Sequence, residues 1–171
     1  MKTALLALAL VVLVPFAVSA DDTLVRFKGG IGVDPVSGIN TSTTPVSPVS
    51  NVVCGVAPGG APWRIGKLDA KVQTDGHITV DGRGLLLAGA NAIATNAGQS
   101  VMAELFCNTT ATSCGTAHTS GLVPLEADGD FHIDDTLSSL PLPSACANPV
   151  LLITNGAPRW FAAGIPQGDD R

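Results

Sequence analysis

The sequence of 171 residues contains no tyrosine, and only 13% of its residues are charged. Basic residues are scarce: 9 Lys and Arg stand against 14 Asp and Glu, which gives a formal net charge of −5. A nucleic-acid-binding protein needs a basic face, so this balance argues against that class. With two Trp and five Phe as its other aromatic residues, the chain also lacks the aromatic girdles that are typical of a transmembrane barrel.

Long apolar runs are missing after residue 20. Residues 1–20, MKTALLALALVVLVPFAVSA, combine Lys2 with an apolar run and a small-residue end at Ala20. This pattern predicts a secretory signal peptide that is cleaved after Ala20, because the run is too short for a membrane span of about 20 residues. We therefore expect a secreted or periplasmic protein whose mature chain, residues 21–171, forms one domain and does not span a membrane.

Helical periodicity is also missing, and 19 Gly and 12 Pro interrupt the chain at short intervals. The clearest pattern is a hairpin, in which residues 64–73 alternate between apolar and polar side chains and Asp75-Gly76 forms the turn to a returning strand at 77–82. Residues 35–50, rich in Ser, Thr and Pro, predict a loop or an edge strand. Similar reasoning predicts further strands at 23–28, 85–88 and 100–107, and two further hairpins at 122–126 with 131–137 and 149–155 with 159–165.

These segments predict an all-β fold. About eight strands with frequent turn signals are typical of an antiparallel β-sandwich or of a small closed barrel, and the sequence leaves both architectures open. Surface loops carry recognition in such domains. We expect that role for residues 35–62, 89–99 and 108–121.

Four cysteines in an exported chain predict two disulfides. Cys107 closes one predicted strand and Cys146 precedes another, so neighbouring strands would favour Cys107–Cys146 together with Cys54–Cys114. The alternative pairing is Cys107–Cys114 with Cys54–Cys146. The cysteine spacing does not match that of structural zinc sites.

Motifs for catalysis are missing, since neither G-x-S-x-G nor H-E-x-x-H occurs. A hydrolase that uses His118, His132 and nearby carboxylates is therefore the least favoured function, and no cofactor is expected. Asp128, Asp130 and Asp134 could hold a cation through oxygen ligands at alternate positions, but a hairpin without a metal explains the same pattern.

The two tryptophans, Trp63 and Trp160, have two possible roles. They could pack in the core, or they could expose their rings as a platform for a carbohydrate or another small molecule. The first role fits a non-catalytic envelope or interaction module with a protein or glycan partner. The second fits a small-molecule or carbohydrate-binding protein.

Several segments carry a resemblance that spans most of the mature chain. They include GVAPGGAPW at 55–63, GRGLLLAG at 82–89 and WFAAGI at 160–165. With these segments the chain resembles a group of small exported bacterial proteins with no assigned function. The resemblance implies export, a bacterial host and one all-β domain, and it implies no catalytic residue.

Overall fold

The computed structural model describes residues 22–168, so the predicted signal peptide lies outside the described residues. The described chain is all-β and contains no helix. Its strands are β1 (Thr23–Gly32), β2 (Val36–Asn40), β3 (Ser47–Ser50), β4 (Ala57–Pro58), β5 (Trp63–Arg64), β6 (Lys67–Gln73), β7 (His77–Arg83), β8 (Leu86–Leu87), β9 (Ser100–Phe106), β10 (Ala117–Thr119), β11 (Val123–Pro124), β12 (Phe131–Thr136), β13 (Val150–Thr154) and β14 (Arg159–Pro166).

One large sheet dominates the structure and curls into a half-barrel. Its main path runs β10-β9-β13-β14-β1-β6-β7-β12, and every neighbouring pair along this path is antiparallel. The short strand β11 pairs with β9, and β4 lies parallel to β14. Strands β2 and β3 pair only with each other, as do β5 and β8.

The concave side of the half-barrel is filled by apolar side chains. Alternation along β6 and β7 buries one face, where Ala70 lies opposite Val80. Across the sheet, Leu151 lies opposite Leu105, and Ile153 lies opposite Ala103. All these side chains are buried, so the concave side is a packed core that stabilises the sheet.

Strands β9 and β13 are buried on both faces. The segment from Val33 to Trp63 packs against β14 and joins the same apolar core. There Trp63 stacks on Phe161 with ring centroids 4.3 Å apart. The backbone N–H of Val33 donates to Phe161 O at 2.9 Å, and the N–H of Trp63 donates to Val33 O at 3.0 Å. The segment that leads to Trp63 is therefore held against the sheet.

The two ends of the main path approach each other. The N–H of Ser138 donates to Thr119 O at 2.8 Å, and the N–H of Thr119 donates to Ser138 Oγ at 3.0 Å. The N–H of Gly121 donates to Asp135 Oδ2 at 2.6 Å. We call these contacts between β10–β11 and the end of β12 the seam.

The all-β, antiparallel prediction is confirmed, as are the β6–β7 and β13–β14 hairpins. The predicted pairing of residues 122–126 with 131–137 is wrong. Strand β11 pairs with β9, while β12 pairs with β7. The Phe131 ring lies against Gly82 of β7, where any side chain would collide with it. Glycine at that position lets β12 settle on β7 instead of on its neighbour in sequence.

Candidate functional site

Residues 36–50 form a hairpin that stands apart from the half-barrel. The sequence predicted a loop or an edge strand here, whereas the structure shows β2 paired with β3 in a two-stranded sheet of their own. Ser37 Oγ and the Thr43 and Ser47 hydroxyls make further hydrogen bonds within this unit. We refer to residues 36–50 as the hairpin.

Asn51 locks the base of the hairpin. Its backbone N–H donates to Pro35 O at 3.0 Å, and its Nδ2 donates to Asp34 O at 2.8 Å. Asp34 Oδ1 in turn accepts from the N–H of Val36 at 3.1 Å. The chain entering the hairpin is thereby fastened to the chain leaving it.

Two further contacts fasten this base to the rest of the protein. Trp160, which is buried in β14, donates from Nε1 to Asn51 O at 2.9 Å. Three residues after Asn51, Cys54 forms a disulfide with Cys114. The hairpin is therefore presented from a fixed position, although its own side chains are solvent-exposed.

The hairpin exposes apolar side chains. Ile39 is 66% exposed and Val46 is 58% exposed, and Val36 and Val49 are exposed as well. Residues 35–63 contain no Asp, Glu, Lys or Arg. Several exposed apolar side chains on one short segment favour contact with another molecule, and the buried centres of protein interfaces are depleted in charge.

The two edges of the hairpin differ. Among the described residues, no further strand pairs with the outer edge of β2 or of β3. Strand β3 contains Pro48, which lacks a donor and blunts an edge. Strand β2 has no proline and no charged residue. Its outer edge is the one that offers backbone groups for pairing with another strand.

The tryptophans pack in the core. Trp63 is 5% exposed and Trp160 is 4% exposed, and the indole of Trp160 is engaged by Asn51. A binding platform needs an exposed ring face. The alternative in which Trp63 and Trp160 form a ligand platform does not fit these positions.

The three aspartates that could hold a cation are used locally. Asp128 Oδ1 accepts from the N–H of Asp130 at 3.1 Å, and Asp130 Oδ1 accepts from the N–H of Gly84 at 3.0 Å. Asp134 lies on β12, where its Oδ1 is 3.3 Å from His77 Nε2. Within residues 22–168 no three His, Cys, Asp or Glu side chains come close enough to hold a metal ion.

The two histidines of the hydrolase hypothesis face different surroundings. His118 is buried opposite Leu105 on β9, with Nδ1 3.2 Å from Ser138 O. His132 is exposed on β12 and pairs with Asp81 at 2.9 Å. One side chain belongs to the seam and the other to the outer sheet surface, so the structure does not bring them together as a catalytic set.

Two carboxyl groups titrate away from their ordinary values. Burial raises the pKa of Glu104, and a weak polar contact with the Thr154 hydroxyl offsets this only in part. The pKa of Asp135 is lowered because its oxygens accept from the N–H groups of Gly121 and Thr136, with a smaller contribution from His77. Glu104 lies on the doubly buried strand β9, whereas Asp135 lies at the seam.

The two disulfides are Cys54–Cys114 and Cys107–Cys146. This is the pairing that the strand positions favoured. Two such bonds indicate an oxidising environment outside the cytoplasm.

Sequence reasoning missed Asn51 as the anchor of the hairpin. The sequence contained one indication of an exposed segment here. The stretch between Val33 and Val53 is rich in polar residues and proline, so it was not expected to be buried. The hydrogen bond between Asn51 and Trp160 could not be predicted from the sequence, because Trp160 lies 109 residues further along the chain.

The described chain contains no helix that is long and apolar enough to cross a membrane. Comparison with protein-family models, with curated proteins and with solved structures finds no match to this chain.

Proposed function

We propose that this protein is a non-catalytic interaction module that is exported to the periplasm or the medium and presents its hairpin to a protein partner. The observation that carries the proposal is the fixed base beneath an uncharged, exposed hairpin that carries the apolar side chains of Val36, Ile39, Val46 and Val49. Exposed Ile and Val side chains add no stability to a solvent-exposed hairpin unless a partner removes them from water. A rigid base lowers the entropy cost of binding, since the hairpin is already ordered.

The recognition mode follows from the edges of the hairpin. Strand β2 can accept an additional strand through its backbone groups, as in β-augmentation, while Pro48 protects β3. The partner therefore supplies an extended, apolar and uncharged segment. Backbone hydrogen bonds would give affinity, and Ile39 with its exposed neighbours would select apolar side chains.

We also infer the finer architecture and the export route. The seam supports a small closed barrel, because the hydrogen bonds between Thr119 and Ser138 join the two ends of the main path. The sequence of residues 1–20 supports cleavage after Ala20. N-terminal sequencing of exported protein should begin at Asp21, and an uncleaved chain would contradict the export proposal.

Site-specific photo-crosslinking tests the hairpin. A benzophenone amino acid at position 39 is compared with the same probe at position 93, because Ile39 and Ile93 are similarly exposed at 66% and 60%. The probe at position 39 should give one adduct of defined mass, in which the crosslinked partner peptide is an extended apolar segment. Equal adducts from both positions, or none from position 39, would contradict the proposal.

Charge variants sharpen this experiment. V46D combined with V49D should abolish the adduct at position 39, because two carboxylates would have to be buried in an apolar interface. I93D combined with L122D adds the same charge at exposed apolar positions outside the hairpin and should leave the adduct intact. An adduct of twice the chain mass would show that a second copy, and not a different protein, occupies the hairpin.

A further inference from the structure

The two disulfides differ in how far solvent reaches them. Cys107 is 6% exposed and belongs to the apolar core. Cys54 and Cys114 are both half-buried, and together they line an open cavity of about 390 Å³. Ser113 and Gly115, which flank Cys114, are exposed and line the same cavity. A thiol can therefore approach the Cys54–Cys114 bond from solvent.

Hydrogen bonds hold the chain segments together beside Cys107–Cys146. Thr109 Oγ1 donates to Asn148 O at 2.6 Å, and Asn148 Nδ2 donates to Thr109 O at 3.2 Å. These two residues each lie two positions after a cysteine of the pair. If this disulfide opens, its two sulfur atoms stay close together and the bond can form again.

The segments joined by Cys54–Cys114 have no such support. The turn before Cys114 bonds to itself, since the N–H and the Oγ1 of Thr110 both donate to Ser113 O. Among the described residues, no hydrogen bond joins residues 110–116 to residues 51–56. Once this disulfide opens, the two segments can move apart.

The backbone at Cys54 is strained. Its φ is +52°, and that of Gly55 is +80°. The N–H and C=O groups of Val53 and Val56 bond to each other across this turn, at 3.1 Å and 2.8 Å. A residue with a Cβ atom adopts a positive φ at a steric cost. Strained or exposed disulfides are the ones that take part in exchange.

The surroundings of the bond carry no charge. Residues 35–63 and 105–125 contain no Asp, Glu, Lys or Arg, and the described residues that line the cavity are Cys, Gly, Ala, Thr and Ser. The attacking group in disulfide exchange is a thiolate anion. On a chain of net charge −5, an uncharged cavity lets this anion approach without repulsion from a neighbouring carboxylate.

We propose that Cys54–Cys114 is a reducible bond that controls how firmly the base of the hairpin is held, and that its reductant is an extracytoplasmic dithiol. Cys107–Cys146 stays closed under the same conditions. The protein thus has one disulfide for stability and one that responds to thiols.

The reaction is a two-step exchange. A thiolate of the dithiol attacks Sγ of Cys114, whose flanking residues are exposed. A new S–S bond forms there, and Sγ of Cys54 leaves as a thiolate and takes up a proton. The second thiol of the dithiol then loses its proton and attacks its partner sulfur, and Cys114 leaves and is protonated. The protein gains two electrons and two protons, and the dithiol becomes a disulfide.

Reduction acts on the hairpin because Cys54 lies three residues after Asn51. With the bond open, hydrogen bonds alone hold the base, including the one from Trp160 Nε1 to Asn51 O. A partner must then order the hairpin when it binds, which weakens binding. This effect on a partner rests on the proposed function of the hairpin, whereas the selective reduction does not.

Timed alkylation of the full mature protein tests the selectivity. The protein is treated with dithiothreitol without denaturant, samples are quenched with iodoacetamide, and the labelled cysteines are identified by peptide mass spectrometry. Cys54 and Cys114 should be labelled about tenfold faster than Cys107 and Cys146, because exchange rates depend on access. Equal rates, or faster labelling of Cys107 and Cys146, would overturn the proposal.

Charge variants at the cavity test the route of attack. Thr112 is exposed and lines the cavity. T112K should speed the reduction of Cys54–Cys114 and T112E should slow it, with rates about threefold apart at low ionic strength. T41K and T41E place the same charges at an exposed position that does not line the cavity and should react at equal rates. Equal rates for T112K and T112E would show that the thiolate does not attack through the cavity.

The selectively reduced and alkylated protein tests the effect on the hairpin. Its amides at residues 36–50 should exchange hydrogen about tenfold faster than in the parent, while those of β6 and β7 should not change. Unchanged exchange at the hairpin would overturn the control of its base. The crosslinked adduct at position 39 should also decrease severalfold. An undiminished adduct with an open bond would exclude regulation of binding and leave the proposed function of the hairpin standing.

Discussion

The half-barrel and the hairpin both contain Ile and Val side chains, but the half-barrel buries them and the hairpin exposes them. In the half-barrel, Ile153 and Leu151 are fully buried, whereas in the hairpin Ile39 and Val46 are mostly exposed. Apolar burial stabilises the first region, and the second gains little from its apolar side chains. The difference shows that the stability of the protein lies in the curled sheet, while the hairpin keeps apolar surface available for contact.

The largest expected effect comes from the bond that joins the two regions. C54S with C114S opens a disulfide between residues 60 positions apart, which should cost about 4 kcal/mol of unfolding free energy. Denaturant unfolding of the double variant measures the loss. Hydrogen exchange should also show the hairpin amides opening more readily, because its base has lost a tether.

The second disulfide is the matched control for this experiment. C107S with C146S opens a bond between the residue that follows β9 and the loop that leads to β13, 39 positions apart, and should cost a similar amount. The hairpin amides should then exchange no faster than global unfolding requires. Equal local opening of the hairpin in both variants would show that Cys54–Cys114 has no special role at its base.

The next effect compares one isoleucine from each region. I153A removes a fully buried side chain from β13 and should destabilise the protein by about 3 kcal/mol. I39A removes a side chain that is 66% exposed and should change stability by less than about 0.5 kcal/mol. Chemical denaturation measures both. A large loss in I39A would mean that the hairpin belongs to the stabilising core.

A smaller effect concerns the hydrogen bond from Trp160 to Asn51. W160F keeps an aromatic ring in the core but removes the Nε1 donor, which leaves Asn51 O without that partner. We expect a loss of about 1–2 kcal/mol, together with faster hydrogen exchange at Val36 and Asn51. W63F is the control, since Trp63 is buried in the same apolar core but does not donate to Asn51. Unchanged exchange at the hairpin base in W160F would exclude this hydrogen bond as its anchor.

The smallest effect depends on pH and concerns the seam. The lowered pKa of Asp135 means that its carboxylate stabilises the folded state above its unfolded pKa of about 3.9, and that this contribution is lost as the pH falls through the folded pKa. D135N should therefore cost about 1 kcal/mol at neutral pH, and the difference from the parent should shrink towards pH 3. Thermal melts over a pH series measure it.

Glu104 provides a control of opposite sign for the same pH series. Its raised pKa means that ionisation in the folded state is unfavourable, so the parent loses stability as the pH rises above the unfolded pKa of about 4.3. E104Q should therefore gain stability relative to the parent as the pH rises. If the stability differences of D135N and E104Q from the parent changed with pH in the same direction, the pKa shifts of Asp135 and Glu104 would not have the opposite signs described here.

The sequence predicts local elements well where turn chemistry and alternation agree. Asp75-Gly76 forms the β6–β7 turn, where Gly76 has a positive φ, and the Asn155 side chain holds the β13–β14 turn, where its Oδ1 accepts from the N–H groups of Ala157 and Arg159. Pairings between strands that are distant in the sequence could not be predicted, because no turn or alternation pattern indicates that β1 lies between β6 and β14. The predicted hairpin between β11 and β12 failed for this reason.

The same limit applies to the exposed face of the sheet and to the hairpin. The alternation of Lys67, Asp69 and Lys71 along one strand face was readable from the sequence, but the position of β1 beside β6 was not. The hairpin was readable only as a polar, proline-rich segment. Its exposure became visible once the structure placed it outside the half-barrel with no layer above it.

The position of β1 has a consequence for the order of events in the cell. Its two neighbours are β6, formed from residues 67–73, and β14, formed from residues 159–166. A chain that emerges from its N-terminal end cannot complete the sheet until almost its whole length has appeared. The large sheet therefore closes only when β14 has been made, and until then β1 has one edge without its neighbour.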